Sequence, residues 1–341
     1  MARRALSVSL MFTLALAALG CAATALKSQA PGDGYDARLS RYEYPFAVQN
    51  YSLKSQDQDL QMSYMDISPP SAPREIVVLL HGKNFGGFYF KSMIAELVSR
   101  GYRVIAVDQV GFGKSSKPRA YQFTFQSLAS NTRALLQSLG VQRFQLVGHS
   151  MGGMLAVRYA LMHPHDVTQL VLINPIGLED WKTMVPYKTV GELYQVELSQ
   201  TVDKARDYQK QSYYDGAWSE SYEELLQPLT GWLKNREYPL VAWNSALTSD
   251  MIFTQPVLYE FKNIAVPTTL VIGLRDRTAI GRDMASDDIK KKMGLYTKLG
   301  KAAQKLIPGS KLIEMEGVGH VPFIEAPEKF WKATEVLWPR Q

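Results

Sequence analysis

Cysteine is almost missing from this chain: 341 residues contain one, Cys21. An internal disulfide is therefore excluded, and so are metal sites built on paired cysteines. Histidine is scarce as well, at five residues, and none has a second ligand at a metal-binding spacing. No motif asks for a cofactor. The basic residues are spread out, and their one cluster, Lys290, Lys291 and Lys292, reads as a solvated helix face. Without a basic stripe or a recognisable module, nucleic acid is not an expected partner. Charged residues make up only 21% and hydrophobic residues 46%, a balance that buries a sizeable core. The length fits one large domain or two ordinary ones.

The amino-terminal segment differs in kind from the rest. Arg3 and Arg4 precede an apolar stretch over residues 5–19, and small residues follow. These are the three regions of a secretory signal peptide, and the apolar stretch is short for a membrane span. Cys21 follows Ala18-Leu19-Gly20, which resembles the lipobox of bacterial lipoproteins, although the usual leucine three before the cysteine is Ala18. Two outcomes stay open: lipidation of Cys21, giving a membrane-anchored periplasmic lipoprotein, or cleavage after Ala23-Thr24-Ala25, giving a soluble periplasmic protein. Removal of residues 1–20 takes away two arginines and no acid, lowering the net charge from +6 to +4. Residues 21–44 read as a tether.

Beyond this the pattern alternates. Residues 44–68 carry two runs of alternating apolar and polar residues, as a β-hairpin does. EIVVLLHG, YRVIAVDQ, RFQLVGHS and VTQLVLINP are short apolar runs, each expected to be a strand buried on both faces. Helical spacing separates them over 92–100, 123–139 and 151–162. The βα order predicts an α/β fold: a mostly parallel twisted sheet with helices on both faces. From residue 178 to 263 the rhythm stops. That stretch leans towards helix and holds fourteen aromatic residues. It reads as a helical cap inserted between a first core segment, 45–177, and a second, 264–341. The rhythm returns with PTTLVIG and SKLIEMEG, and a last helix is expected to end near Trp338.

GHSMGG fits G-x-S-x-G through Gly148, Ser150 and Gly152. A serine raised between a buried strand and a helix needs a turn so sharp that only small residues fit two places before and two after it. A serine alcohol is a poor nucleophile without a base, and the base needs a third group to hold its ring. Asp276 follows the strand PTTLVIG, and His320 lies in a glycine-flanked loop after SKLIEMEG. Both come in the order Ser, Asp, His that this arrangement uses. Asp180 is the other acid considered for the middle role, and a salt bridge with Arg275 or Arg277 is the competing role for Asp276. The loop LLHGKNFGG is placed to supply an oxyanion donor, with the backbone N–H groups of Lys83 and Met151 as candidates. The Lys83 side chain is read as facing either an anionic substrate group or solvent. GFGKSS fails as a phosphate loop because Asp108 stands where its first glycine belongs. Asp108 is expected to bond backbone groups.

LLHGKNFGG, DQVGFGKSS, GHSMGG, GLRDRTA and GVGHVPF, in that order, resemble the α/β-hydrolase superfamily over residues 45–340. The likeness is to capped bacterial enzymes of the C–C-bond hydrolase and epoxide-hydrolase-like branches. Epoxide hydrolases and haloalkane dehalogenases carry an aspartate where Ser150 stands, so their chemistry does not transfer. The resemblance implies the triad and the oxyanion loop, not a substrate. The expected activity is that of a serine hydrolase acting on an ester of a small molecule, and the aromatic cap suggests that its acyl or alcohol part is apolar. C–C-bond hydrolysis or acyl transfer with the same three residues is the alternative, and a non-catalytic binding protein on the same fold is the alternative of another class.

Overall fold

In a computed structural model of the protein, residues 34–340 are described. The signal segment, Cys21 and most of the expected tether lie outside the described residues. Eight strands form one sheet: β1 (Val48–Ser55), β2 (Gln58–Ile67), β3 (Ile76–Leu80), β4 (Arg103–Val107), β5 (Phe144–His149), β6 (Val167–Ile173), β7 (Thr268–Gly273) and β8 (Lys311–Met315). Their order is β1-β2-β4-β3-β5-β6-β7-β8. The pairs β1–β2 and β2–β4 are antiparallel, and every other pair is parallel. The hairpin turn of β1 and β2 is Gln56-Asp57, both with positive φ, the backbone that matches the right-handed twist of two paired strands.

The apolar runs are continuous because each central strand buries both faces. Val78, Leu80, Leu146, Leu172 and Ile272 join one core, while Val77, Leu79, Val147, Val171 and Val271 join the other. Successive strand residues point to opposite faces, so alternate residues serve different cores. On one face pack α2 (Phe125–Ser138) and α3 (Met151–Met162); on the other, α1 (Lys91–Ser99). Each fully buried Leu, Ile or Val contributes about 1.5–3 kcal/mol.

Between β6 and β7 the chain forms helices and no strand: α4 (Val190–Leu198), α5 (Val202–Ser212), α6 (Glu220–Glu224), α7 (Gln227–Leu233) and α8 (Tyr238–Thr254). The insertion is bonded to the core. Trp243 donates to the carbonyl of Arg119 (2.8 Å), Asn244 to that of Pro118 (3.1 Å) and Gln255 to that of Phe123 (3.2 Å). After β7 come α9 (Asp287–Lys290) and α10 (Tyr296–Leu306), and after β8 come α11 (Pro322–Glu325) and α12 (Pro327–Ala333).

Two expectations need correction. The tether does not run to residue 44. From Gly34 the chain is packed, with the Tyr35 N–H bonded to the carbonyl of Gly231 (2.9 Å), the Ala37 N–H to Glu237 (2.8 Å) and the Trp232 indole to the carbonyl of Asp36 (3.0 Å). Leu39 is fully buried. Polar composition suggested a solvated linker, but these backbone groups find partners on α7 and α8. The last helix, α12, stops at Ala333, short of Trp338, and the chain goes on in turns; a separate break at Ala326, the residue before Pro327, divides it from α11. If the segment from Gly34 is part of the fold, Leu39→Ala costs about 2–5 kcal/mol in urea unfolding, where a free tether would give no change.

Candidate active site

The C-terminal ends of β5, β6, β7 and β8, which are neighbours in the sheet, carry Ser150, Asn174, Asp276 and His320. Ser150 leaves β5 and opens α3 with φ +57° and ψ −122°. A non-glycine residue held there costs on the order of 1–3 kcal/mol. Close packing enforces it. A Cβ on Gly148 would lie 2.2 Å from the carbonyl oxygen of Gly152, and a Cβ on Gly152 would lie 2.0 Å from that of Leu80. The two glycines of the turn are thus required by contact with backbone that cannot move away.

Asp276 and His320 meet as the sequence suggested. The His320 Nδ1–H donates to Asp276 Oδ2 (2.6 Å), and both side chains are fully buried. The second carboxylate oxygen accepts from the Thr278 N–H (2.8 Å). Arg275 does not compete for Asp276: it pairs with Glu325 and, at 3.7 Å, with Asp215. Asp180 is elsewhere, bonded to Tyr259 (2.7 Å). His320 Nε2 is buried and makes no hydrogen bond. A ring that donates from Nδ1 presents an unprotonated Nε2 when neutral, which is the atom a base needs. Ser150, only 5% exposed, is not hydrogen-bonded to it, and such bonds commonly tighten only when substrate is bound.

On the oxyanion side, Gly82 lies beside Ser150: a Cβ there would be 3.4 Å from Ser150 Oγ. The Gly82 N–H is already used, donating to the Tyr89 hydroxyl (3.0 Å). The N–H groups of Lys83 and Met151 have no partner among the described residues. The Lys83 side chain takes neither expected course. It pairs with Glu197 of α4 (3.2 Å) and donates to Ser245 of α8 (2.8 Å), tying the loop to the insertion.

Three residues that sequence reasoning passed over hold the site. Asn174, at φ +38°, donates to Asp276 Oδ2 (2.8 Å) and accepts from the Gly273 N–H (2.9 Å). An asparagine right after a buried strand is the signal that was available, since asparagine tolerates positive φ. His149 donates from Nε2 to the carbonyl of His320 (2.7 Å), so its Nδ1 accepts from Tyr89 (2.8 Å). Tyr213, from the insertion, stacks on the His320 ring with centroids 4.4 Å apart. Burial, then the nearby His320 and His81 rings, holds the His149 pKa well below its usual value. Burial lowers His81 too, and it is locked neutral by accepting from the Gln109 N–H (3.1 Å). Asp108 behaves as expected, accepting from the N–H groups of Gly87 (2.6 Å) and Lys114 (2.7 Å).

Two cavities open beneath the insertion. A smaller one, about 110 Å³, is lined by Lys83, Phe85, Phe112, Trp232 and Tyr238. A larger one, about 650 Å³, is lined by residues of α4, α5 and α8 and by the loop after Asp276. Glu197 and Tyr208 belong to both walls; Ser150 and His320 belong to neither. The aromatic residues of the insertion therefore divide. Trp232 and Tyr238 face a cavity, while Tyr214, Trp218 and Tyr222 pack on one another.

A family model described as alpha/beta hydrolase fold matches residues 75–327. A solved structure described as a probable hydrolytic enzyme from Pseudomonas aeruginosa PAO1 is 47% identical, with a TM-score of 0.88, covering 91% of this chain and 99% of that one. Lipase 1 of Psychrobacter immobilis is 28% identical over 258 residues, 74% of this chain and 73% of the lipase. An esterase from Exiguobacterium antarcticum, 21% identical with a TM-score of 0.66 and covering 85% of this chain and 99% of its own, shares the fold.

Two outcomes are expected from this geometry. Gly152→Ala forces a Cβ onto the carbonyl of Leu80, and unfolding free energy drops by about 3 kcal/mol in chemical denaturation. The second concerns pH. His81 and His149 are buried neutral, with pKa values lowered on folding, so below about 6.5 the unfolded chain binds protons the folded chain refuses. Stability is fully present above that pH and falls below it, by up to about 1.4 kcal/mol per unit for each histidine. Denaturation at pH 7, 6 and 5 reads the slope, which His149→Gln should reduce.

Proposed function

The chain belongs to the α/β-hydrolase fold family and is an enzyme of that family, and from that premise we propose that it is a serine hydrolase acting on an ester-type acyl substrate. One observation carries the reading: a buried, unpartnered Nε2 on a histidine whose other nitrogen is held by a buried aspartate, at the same sheet edge as a serine on a strained turn.

In this reading Ser150 Oγ attacks the acyl carbon of the ester as its proton passes to His320 Nε2. The carbonyl π bond opens to an oxyanion, and the N–H groups of Lys83 and Met151 receive it. Met151 is the first residue of α3, so the helix dipole adds to its N–H. Collapse of the intermediate breaks the bond to the alcohol, which leaves with the proton from His320 and forms the acyl-enzyme. Water, deprotonated by His320, attacks the acyl carbon, releases the acid and returns the proton to Ser150. Asp276 keeps Nδ1 as the donor and stabilises the imidazolium that forms twice per turnover, while Asn174 and Thr278 hold Asp276. The steps need only the substrate and water.

Burial of Ser150 and the Tyr213 ring on His320 support an insertion that shields the acyl-enzyme. Labelling by a fluorophosphonate probe, with 4-nitrophenyl hexanoate turnover in parallel, tests the reading. Ser150→Ala and His320→Ala should each lose labelling and at least about 10³-fold in kcat with folding retained. A folded wild type that neither labels nor turns over the ester, or a Ser150→Ala variant that does either, would overturn it.

A further inference from the structure

The larger cavity carries a charge pattern that folding does not require. Its wall holds four cations, Lys188, Arg277, Arg282 and Lys290, and two carboxylates, Glu197 and Asp283. Both carboxylates are taken: Glu197 by Lys83 (3.2 Å) and Asp283 by Lys188 (3.5 Å). Lys290 pairs with Asp287 (3.4 Å). Arg277 and Arg282 make no ion pair among the described residues, and the Arg282 guanidinium bonds only to the backbone carbonyl of Arg277 (3.2 Å). Glu179 feels the field of both arginines but is within ion-pair distance of neither, and its carboxylate instead accepts from the Gly294 N–H (2.9 Å) and the Trp181 indole (3.1 Å).

Two guanidiniums, each partly out of solvent and near the other, repel unless an anion joins them. The Arg282 pKa is lowered by burial and then by the Arg277 charge, and the Glu179 carboxylate offsets this only in part. The position is pointed. Arg277 directly follows Asp276, which holds the catalytic histidine. Tyr208, on the cavity wall, sits edge-on to Tyr213 (5.5 Å), and Tyr213 stacks on His320. The rest of the wall is largely apolar, with Leu193, Val196, Phe253, Ile280 and Met284. The volume of about 650 Å³ matches a ligand of modest size.

We propose that Arg277 and Arg282 form an oxyanion-binding subsite, and that the substrate is an amphiphilic ester whose acidic group, carboxylate or phosphate, is clamped there. This assignment rests on the ester-hydrolase reading for the reaction, but the binding of the anion does not. The planar forks of two arginines match the oxygens of either group, and binding removes their mutual repulsion. The apolar wall takes the hydrocarbon part.

The experiment has two arms. In the first, 4-nitrophenyl hexanoate is compared with mono(4-nitrophenyl) adipate, which has the same six-carbon acyl chain and a terminal carboxylate. The ratio of kcat/KM, anionic over neutral, is expected to exceed one in wild type. It should fall at least about tenfold in Arg277→Gln/Arg282→Gln, the loss of charge-assisted hydrogen bonds, and largely return in Arg277→Lys/Arg282→Lys. A wild-type ratio below one, or a ratio that the glutamine pair leaves within about twofold, overturns the subsite. The second arm needs no turnover: Ser150→Ala protein is titrated with octyl phosphate by calorimetry. Binding that weakens at least about tenfold when both arginines become glutamine supports the subsite, even if neither ester is turned over and the hydrolase reading fails. Octyl phosphate binding that is absent, or indifferent to the arginines, overturns it even if both esters are hydrolysed.

Discussion

The structure turns on a close approach of backbone to backbone at the end of β5. Gly148 meets Gly152, and Gly152 meets the end of β3, at distances that leave no room for a Cβ. That crossing holds Ser150 at positive φ, lifts its side chain off the sheet and starts α3 at Met151. The packing of α3 between β5 and the core on one face supplies the force. Without that burial the strained residue would relax, because its local cost is unmatched by any local gain.

Around the turn, other buried side chains set the positions of the candidate catalytic residues. His149 links the oxyanion loop to the histidine loop: Gly82 N–H to Tyr89, Tyr89 to His149, and His149 to the carbonyl of His320. Each group in that chain is buried, so each has to be satisfied within the fold. Asn174 does the same for Asp276 from the neighbouring strand. The Gly319 N–H beside His320 is held by Glu325 (2.6 Å), which Arg275 holds in turn. The site is a set of strand ends cross-braced by hydrogen bonds, some between neutral groups and some to the carboxylates of Asp276 and Glu325, with an outer ion pair at Glu325.

The insertion contributes in a different way. It brings Tyr213 onto His320 and sends Glu197 and Ser245 to Lys83. The side chain of Lys83, in the loop after β3, is thereby committed to the cap, while its backbone N–H has no partner among the described residues. Two cations with no ion-pair partner among the described residues, Arg277 and Arg282, fall on the second cavity wall, where the loop after Asp276 meets the insertion.

The sequence by itself determined the parallel sheet and the elbow, and it singled out Ser150, Asp276 and His320 as the candidate reactive residues. Strand runs buried on both faces have one reading, and so does a serine between small residues at a strand end, with an acid and a histidine after later strands. These signals are local, or depend only on order along the chain. Tertiary structure decided what depends on distance between remote segments. Asn174 and Asp276, 102 residues apart, meet because β6 and β7 are neighbours. Lys83 finds Glu197 rather than solvent, and residues from Gly34 onward pack on α7 and α8 although their composition reads as linker. A polar side chain or a backbone N–H accepts any partner of suitable chemistry, so only the packing of the whole chain selects which one it meets.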